Sequence, residues 1–189
     1  MHASPTRVSK LLVLVLVCAL ITVLGCSSQM AVEANTANQK SKVSQVMDLM
    51  SEGSAYYLKH DFESAIGPYQ KALDLEKEKR TLDDTLWKVL IDILGMSYGI
   101  TGNLDTAKEI FEYGISKEPD YPMFYYNMAC TYGEKEDMEK AIEYLKLAFD
   151  RREKMIPGEK IPNPATDSSF QRFMKDEKFK AALKELKKK

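Results

Sequence analysis

The chain has 189 residues, 44% of them apolar and 29% charged, which excludes a wholly disordered or collagen-like protein. A formal net charge of −1 gives no basic footprint for nucleic-acid binding. Three Cys form an odd count, and two His leave little material for metal or nucleophilic chemistry.

Residues 1–10 carry Arg7 and Lys10 and no acid. They are followed by Leu11–Leu24, fourteen residues in which only Thr22 is polar. A basic start, a short apolar run and a small residue before the cut describe a secretory signal peptide, residues 1–25. Fourteen residues span ~21 Å as helix, short of the ~30 Å hydrocarbon core, so a permanent transmembrane helix is disfavoured.

Val23-Leu24-Gly25-Cys26 resembles a bacterial lipobox. Gly25 and Cys26 fit the pattern; Val23 departs from its commonest Leu, and Leu24 is bulkier than usual. The resemblance implies that Cys26 carries the lipid and becomes the new N-terminus. Ser27 after it resembles outer-membrane sorting in enteric bacteria, so the implied location is the outer membrane, facing the periplasm. Cys18 would then leave with the signal and Cys26 be acylated, so Cys130 stays as a lone thiol and no internal disulfide forms. Loss of Arg7 and Lys10 with no acid moves the charge from −1 to −3. Residues 26–42 then form the lipidated Cys and a flexible polar tether, reaching ~20 Å on average.

Residues 43–155 hold an internal repeat, in copies 46–79, 88–121 and 122–155. Gly53, Gly95 and Ala129 coincide, each followed three residues later by Tyr56, Tyr98 or Tyr132. Asp61, Asn103 and Asp137 coincide in a turn. Ala65, Ala107 and Ala141 coincide, four residues before Tyr69, Phe111 and Leu145. Two apolar stripes at helical spacing flank each turn. Small residues let the paired helices approach, and the aromatic residues fill the space beside them. One such pair cannot bury its faces alone, and three are near the minimum for a stable stack.

A 34-residue period with these positions resembles the tetratricopeptide repeat (TPR) family. Departures are local: only Pro119 matches the family's terminal Pro, Gly114 replaces an Ala, and Leu49, Ile91 and Tyr125 stand where Trp opens the family's repeat. The resemblance implies an all-α, right-handed helical solenoid of three helix pairs.

Eight residues, Arg80–Trp87, are inserted between the first two copies. They are expected to lengthen the helices on both sides, with Asp83 or Asp84 as N-cap and Trp87 as a packing residue. Residues 156–189 begin with a loop holding three Pro. Asp167 can cap a helix carrying Phe170 and Phe173, and Asp176 a second carrying Phe179, Leu183 and Leu186. These serve as the terminal cap a solenoid needs. The closing lysines read as a solvated helix end that suits the dipole.

His60 is the one His left after residue 25, which cannot supply a two-His metal site. No G-x-S-x-G, Walker loop, H-E-x-x-H or C-x-x-C is present. Cys130 follows the packing residue Ala129 and reads as a small half-buried side chain rather than a nucleophile. The sequence therefore predicts no enzyme, no cofactor, no metal and no small-molecule substrate.

Function is expected on the concave face, which TPR proteins use to hold peptides or helices. The resemblance places Met47, Met50, Ser54 and Tyr57 there from the first copy. Val89, Asp92 and Met96 come from the second. Met123, Tyr126, Asn127 and Cys130 come from the third. Only Asn127 resembles the set with which some TPR domains clamp a C-terminal carboxylate; the Lys and Arg are absent. A Met- and Tyr-rich groove suits an adaptable contact with a protein segment. Some of these residues can equally be core, or lie under the C-terminal tail. The implied function is a lipid-anchored scaffold for complex assembly in the bacterial envelope. The alternative is a regulatory or activator subunit of a cell-wall enzyme.

Overall fold

A computed structural model describes residues 39–187; the signal segment, Cys26 and most of the tether lie outside them. The chain divides into a unit 1–44 and a compact unit 45–189. Of the first, residues 39–44 are described, and they are helical. Helix α1 covers 39–57, so helical structure begins four residues inside the stretch read as tether.

Then come α2 (Phe62–Glu78), α3 (Asp84–Ile100), α4 (Leu104–Lys117), α5 (Pro122–Glu134) and α6 (Met138–Asp150). Two 3-10 segments, Arg152–Lys154 and Ser168–Phe173, precede α7 (Glu177–Leu186). The described residues contain no strand. Helices pack on their neighbours in sequence, α2 on α3, α3 on α4, α4 on α5 and α5 on α6, and α5 also reaches back to α3. The fold is thus an all-α solenoid of helix pairs with a C-terminal cap.

The turn inside each pair has one chemistry used three times. His60, Gly102 and Glu136 sit at equivalent positions with φ of 59°, 85° and 62°. The next residue's N–H reaches five residues back: Asp61 to the Tyr56 carbonyl at 3.1 Å, Asn103 to Tyr98 at 2.8 Å and Asp137 to Tyr132 at 2.9 Å. A left-handed residue followed by this bond is a Schellman ending. The residue that donates it is also the N-cap of the following helix. Asp61 accepts from Ser64 N–H at 3.1 Å and Asp137 from Lys140 N–H at 3.0 Å, whereas Asn103 makes no side-chain cap. Stop and start signals occupy consecutive residues, which is why the turns are so short.

The insert is divided as its sequence suggests. By repeat alignment, α2 runs three residues past the end of α4, and α3 starts four residues ahead of α5. Asp83 is the N-cap, accepting from Leu86 N–H at 2.8 Å. The connecting loop is tied down by Glu76, only 3% exposed. Its carboxylate accepts from Thr81 N–H at 2.9 Å, Leu82 N–H at 3.1 Å and the Thr81 hydroxyl. A buried acid at the end of an otherwise exposed charged run has no sequence signature.

Two core clusters fill unit 45–189. One runs through α1 to α5 and includes Val46, Met50, Tyr69, Trp87, Leu94 and Phe111. The other joins α5 and α6 to the tail through Tyr126, Ala129, Leu145, Phe170, Phe179 and Leu183. Gly53 and Gly95 allow the close approach within the first two pairs. A Cβ on them would come within 2.6 Å of the Tyr69 ring and 2.5 Å of the Phe111 ring respectively. The cap expected around Phe170 forms as a 3-10 segment rather than an α-helix, with Asp167 accepting from Ser169 N–H.

Candidate functional site

A recess of about 620 Å³ opens between α3, α5 and the C-terminal segment. Helix α3 supplies Met96 and Ile100, the following turn Gly102, and helix α4 Leu104 and Phe111. Helix α5 supplies Met123, Asn127 and Cys130. Pro162 and Asp167–Ser169 form the remaining wall. Helical spacing places Met96 and Ile100 on one face of α3, and Met123, Asn127 and Cys130 on one face of α5. Ile100 is 55% exposed, an isolated large aliphatic at the rim.

Part of the expected groove lines the recess. Met96, Met123, Tyr126, Asn127 and Cys130 line the recess, whereas Met47, Met50, Ser54, Tyr57, Val89 and Asp92 do not. Met50, which the sequence left open between groove and core, is 7% exposed and belongs to the first core cluster. Ser54 is hydrogen-bonded to the Tyr69 hydroxyl at 2.7 Å, and the Tyr57 hydroxyl lies 3.9 Å from Met96 Sδ. Met47 is exposed on α1, and Val89 is half-buried.

Tyr126 and Asn127 line the recess from its floor. Tyr126 is 1% exposed, and its hydroxyl donates to Asp167 Oδ2 at 2.8 Å. The tail therefore covers most of it. Asn127 Nδ2 donates to Asp92 Oδ1 at 2.7 Å, which ties α5 to α3 and occupies the one residue that resembled a carboxylate clamp. Burial pushes the Asp92 carboxyl up to about 7; the Asn127 bond opposes the rise and the nearby Glu159 charge adds to it. Cys130 Sγ sits 3.8 Å from Asp167 Oδ2. Burial, then the Asp167 charge, push its thiol well above the ordinary range, which suits packing and not nucleophilic attack.

The sequence left open whether the tail covers part of the groove, and the structure places Asp167 of the tail against Tyr126 and Cys130. Asp167 was readable as a cap, but its approach to Tyr126 and Cys130 depends on the path of residues 156–166. Ile100 was missed, although Leu58 occupies the equivalent position before the first turn and is also exposed. Among the described residues, no group of three or more His, Cys, Asp or Glu could hold a metal ion, and no helix is long and apolar enough to cross a membrane.

An all-helical stack of repeated helix pairs defines a class, the helical-repeat proteins. Residues 124–155, which cover most of the third helix pair and the 3-10 segment after it, match the tetratricopeptide repeat family model. The fold is similar to that of the type III secretion translocator chaperone SycD from Yersinia enterocolitica, solved as an alternative dimer. That likeness covers 76% of this chain and 92% of that chain, with 18% identity and a TM-score of 0.51. No curated protein sequence matches the chain. The family match and the shared fold support a TPR protein; at such identity the structural likeness speaks for the fold alone.

Proposed function

We propose that this chain is a TPR adaptor that binds another protein through the recess between α3 and α5, held at a bacterial envelope membrane by a lipid on Cys26. The observation that carries the binding reading is the recess itself. It is an open concavity between the first helices of neighbouring repeats, with Met96, Ile100 and Met123 at its wall, and helical repeats hold partners on such helices. Flexible Met side chains adapt to a partner's shape at little cost. The anchor reading is supported by the basic start, the apolar run Leu11–Leu24 and Gly25-Cys26.

Two measurements test the two halves. Ile100→Glu places a charge in the recess at a position already exposed. It should abolish partner capture from detergent-solubilised membranes while the helical circular-dichroism signal and the melting temperature stay near wild type. Capture unchanged by Ile100→Glu and by Met96→Glu would remove the recess from the binding surface. Cys26→Ser should move the protein from the membrane fraction to the soluble fraction, and unchanged membrane retention would defeat the lipid anchor.

A further inference from the structure

Charge and size at the recess narrow what can enter it. Among the described residues that line it, the charged ones are Glu134 and Asp167, and none is Lys, Arg or His. Glu134 already faces Arg172, at 3.5 Å. Asp167 has only neutral partners. Its Oδ2 accepts from the Tyr126 hydroxyl at 2.8 Å and lies 3.8 Å from Cys130 Sγ, and its Oδ1 accepts from Ser169 N–H at 3.0 Å. A carboxylate offers about four acceptor positions, so Asp167 can still take a cationic donor from outside. Two further acids stand nearby. Glu159 accepts from the Tyr121 hydroxyl at 2.9 Å and is close enough to act on Asp92 electrostatically, and Asp92, bonded to Asn127 on the recess floor, carries its charge only above about pH 7. An acidic segment would meet like charge on entry; a basic one would meet its complement.

The size limits how a partner enters. A volume of about 620 Å³ has room for a few side chains and not for a whole helix, so a partner inserts side chains rather than its backbone. An extended segment sends successive side chains to opposite faces and can insert one at a time.

We propose that the recess takes an extended segment of another protein in which an aliphatic side chain adjoins a Lys or Arg. The aliphatic group sits among Met96, Ile100 and Met123, and the cation reaches Asp167. This rests on the recess being the partner-binding face and adds the partner's chemistry to it.

The test uses the full-length chain in detergent and a set of acetylated, amidated, fluorescein-labelled heptapeptides. Each has a central Leu or Met flanked by Lys, Arg, Gln or Glu, and binding is read by fluorescence anisotropy. Lys- and Arg-flanked peptides should bind about fivefold tighter than Gln-flanked ones, as one partly exposed charge pair provides, and Glu-flanked ones should bind weakest. Asp167→Asn keeps an acceptor for Tyr126 and a cap for Ser168–Phe173, and should shrink the preference below about twofold. Raising NaCl from 50 to 500 mM in the wild-type protein should weaken the Lys peptide and leave the Gln peptide unchanged, a readout independent of whether the variant folds. Equal binding of Glu- and Lys-flanked peptides, a salt-insensitive preference, or tighter binding of a stapled helical version would overturn this inference and leave the recess as a binding face. Failure of every peptide to bind at millimolar concentration would overturn both.

Discussion

Asp92, His60 and Glu136 carry conformational or electrostatic costs that the surrounding fold imposes. Asp92 titrates near 7 in the folded chain against an ordinary 3.8. Below about pH 4 both folded and unfolded chains hold the proton, and the residue costs nothing. Between pH 4 and 7 the unfolded chain has released it while the folded chain keeps it, so stability falls as pH rises; above 7 the full penalty, at most about 4 kcal/mol, is present. Asp92→Asn retains an acceptor for Asn127 and has no proton to lose. Urea midpoints of wild type should therefore fall relative to the variant between pH 4 and 7.5, and parallel profiles would contradict the burial assigned to this carboxyl. His60 carries the second cost, because a non-glycine residue at φ 59° holds a conformation that glycine adopts freely. Gly102 occupies the same place in the next turn at φ 85°. His60→Gly should stabilise by about 0.5–1 kcal/mol, less whatever its ring contact with Phe62 contributes, and Gly102→Ala should destabilise by about 1 kcal/mol. Opposite signs in thermal melts of the two variants are the expected result.

Between elements, the spacing of each helix pair is set by complementary sizes. Gly53 faces the Tyr69 ring and Gly95 the Phe111 ring; at the third site Ala129 is matched with the smaller Leu145. Gly95→Ala drives a methyl group into the Phe111 ring, which is 1% exposed, and should cost about 1–3 kcal/mol. Phe111→Leu on that background copies the third pair and should recover part of the loss, read as a positive coupling in a double-mutant cycle. Additive losses would mean that the ring moves aside freely. This pairing also explains why the fold was legible in the sequence. Gly53, Gly95 and Ala129, the turn residues Asp61, Asn103 and Asp137, and the Ala residues four before Tyr69, Phe111 and Leu145 are fixed by packing within one repeat, so they recur and declare the period. The site was less legible. Its recess depends on contacts made once, such as Asn127 to Asp92 and Tyr126 to Asp167, and a contact made once leaves no periodic trace. Met50 shows the same limit from the other side. Helical periodicity places it on the face of α1 that turns inward, but how deeply it is buried is decided by neighbours α1 does not encode.

At the scale of the molecule, the tail closes the solenoid and at the same time builds the recess wall. Phe170 and Phe179 lie at 0% exposure in the second core cluster, in contact with each other at 5.8 Å, and Tyr126 meets the Phe170 ring edge-on at 6.2 Å. Asp167, three residues before Phe170, lies over Tyr126 and Cys130 because that ring is seated. Anchoring and site geometry are thus one contact. Phe170→Ala should cost about 3–5 kcal/mol. The loss should fall unevenly, since the first core cluster, from α1 to α5, has no share in Phe170. Hydrogen exchange should rise in α5, α6 and 168–186 with little change in α2 and α3. Cys130 gives a second, local readout. Its thiol is held neutral by burial beside Asp167, so alkylation by iodoacetamide, followed at this residue by peptide mass spectrometry, should be slow in the wild-type chain. Release of the tail removes both the burial and the neighbouring carboxylate, and Phe170→Ala should speed alkylation at least tenfold. Loss of exchange protection with Cys130 still unreactive would mean that α5 keeps its cover without the tail, and that the recess wall is built by α3 and α5 alone.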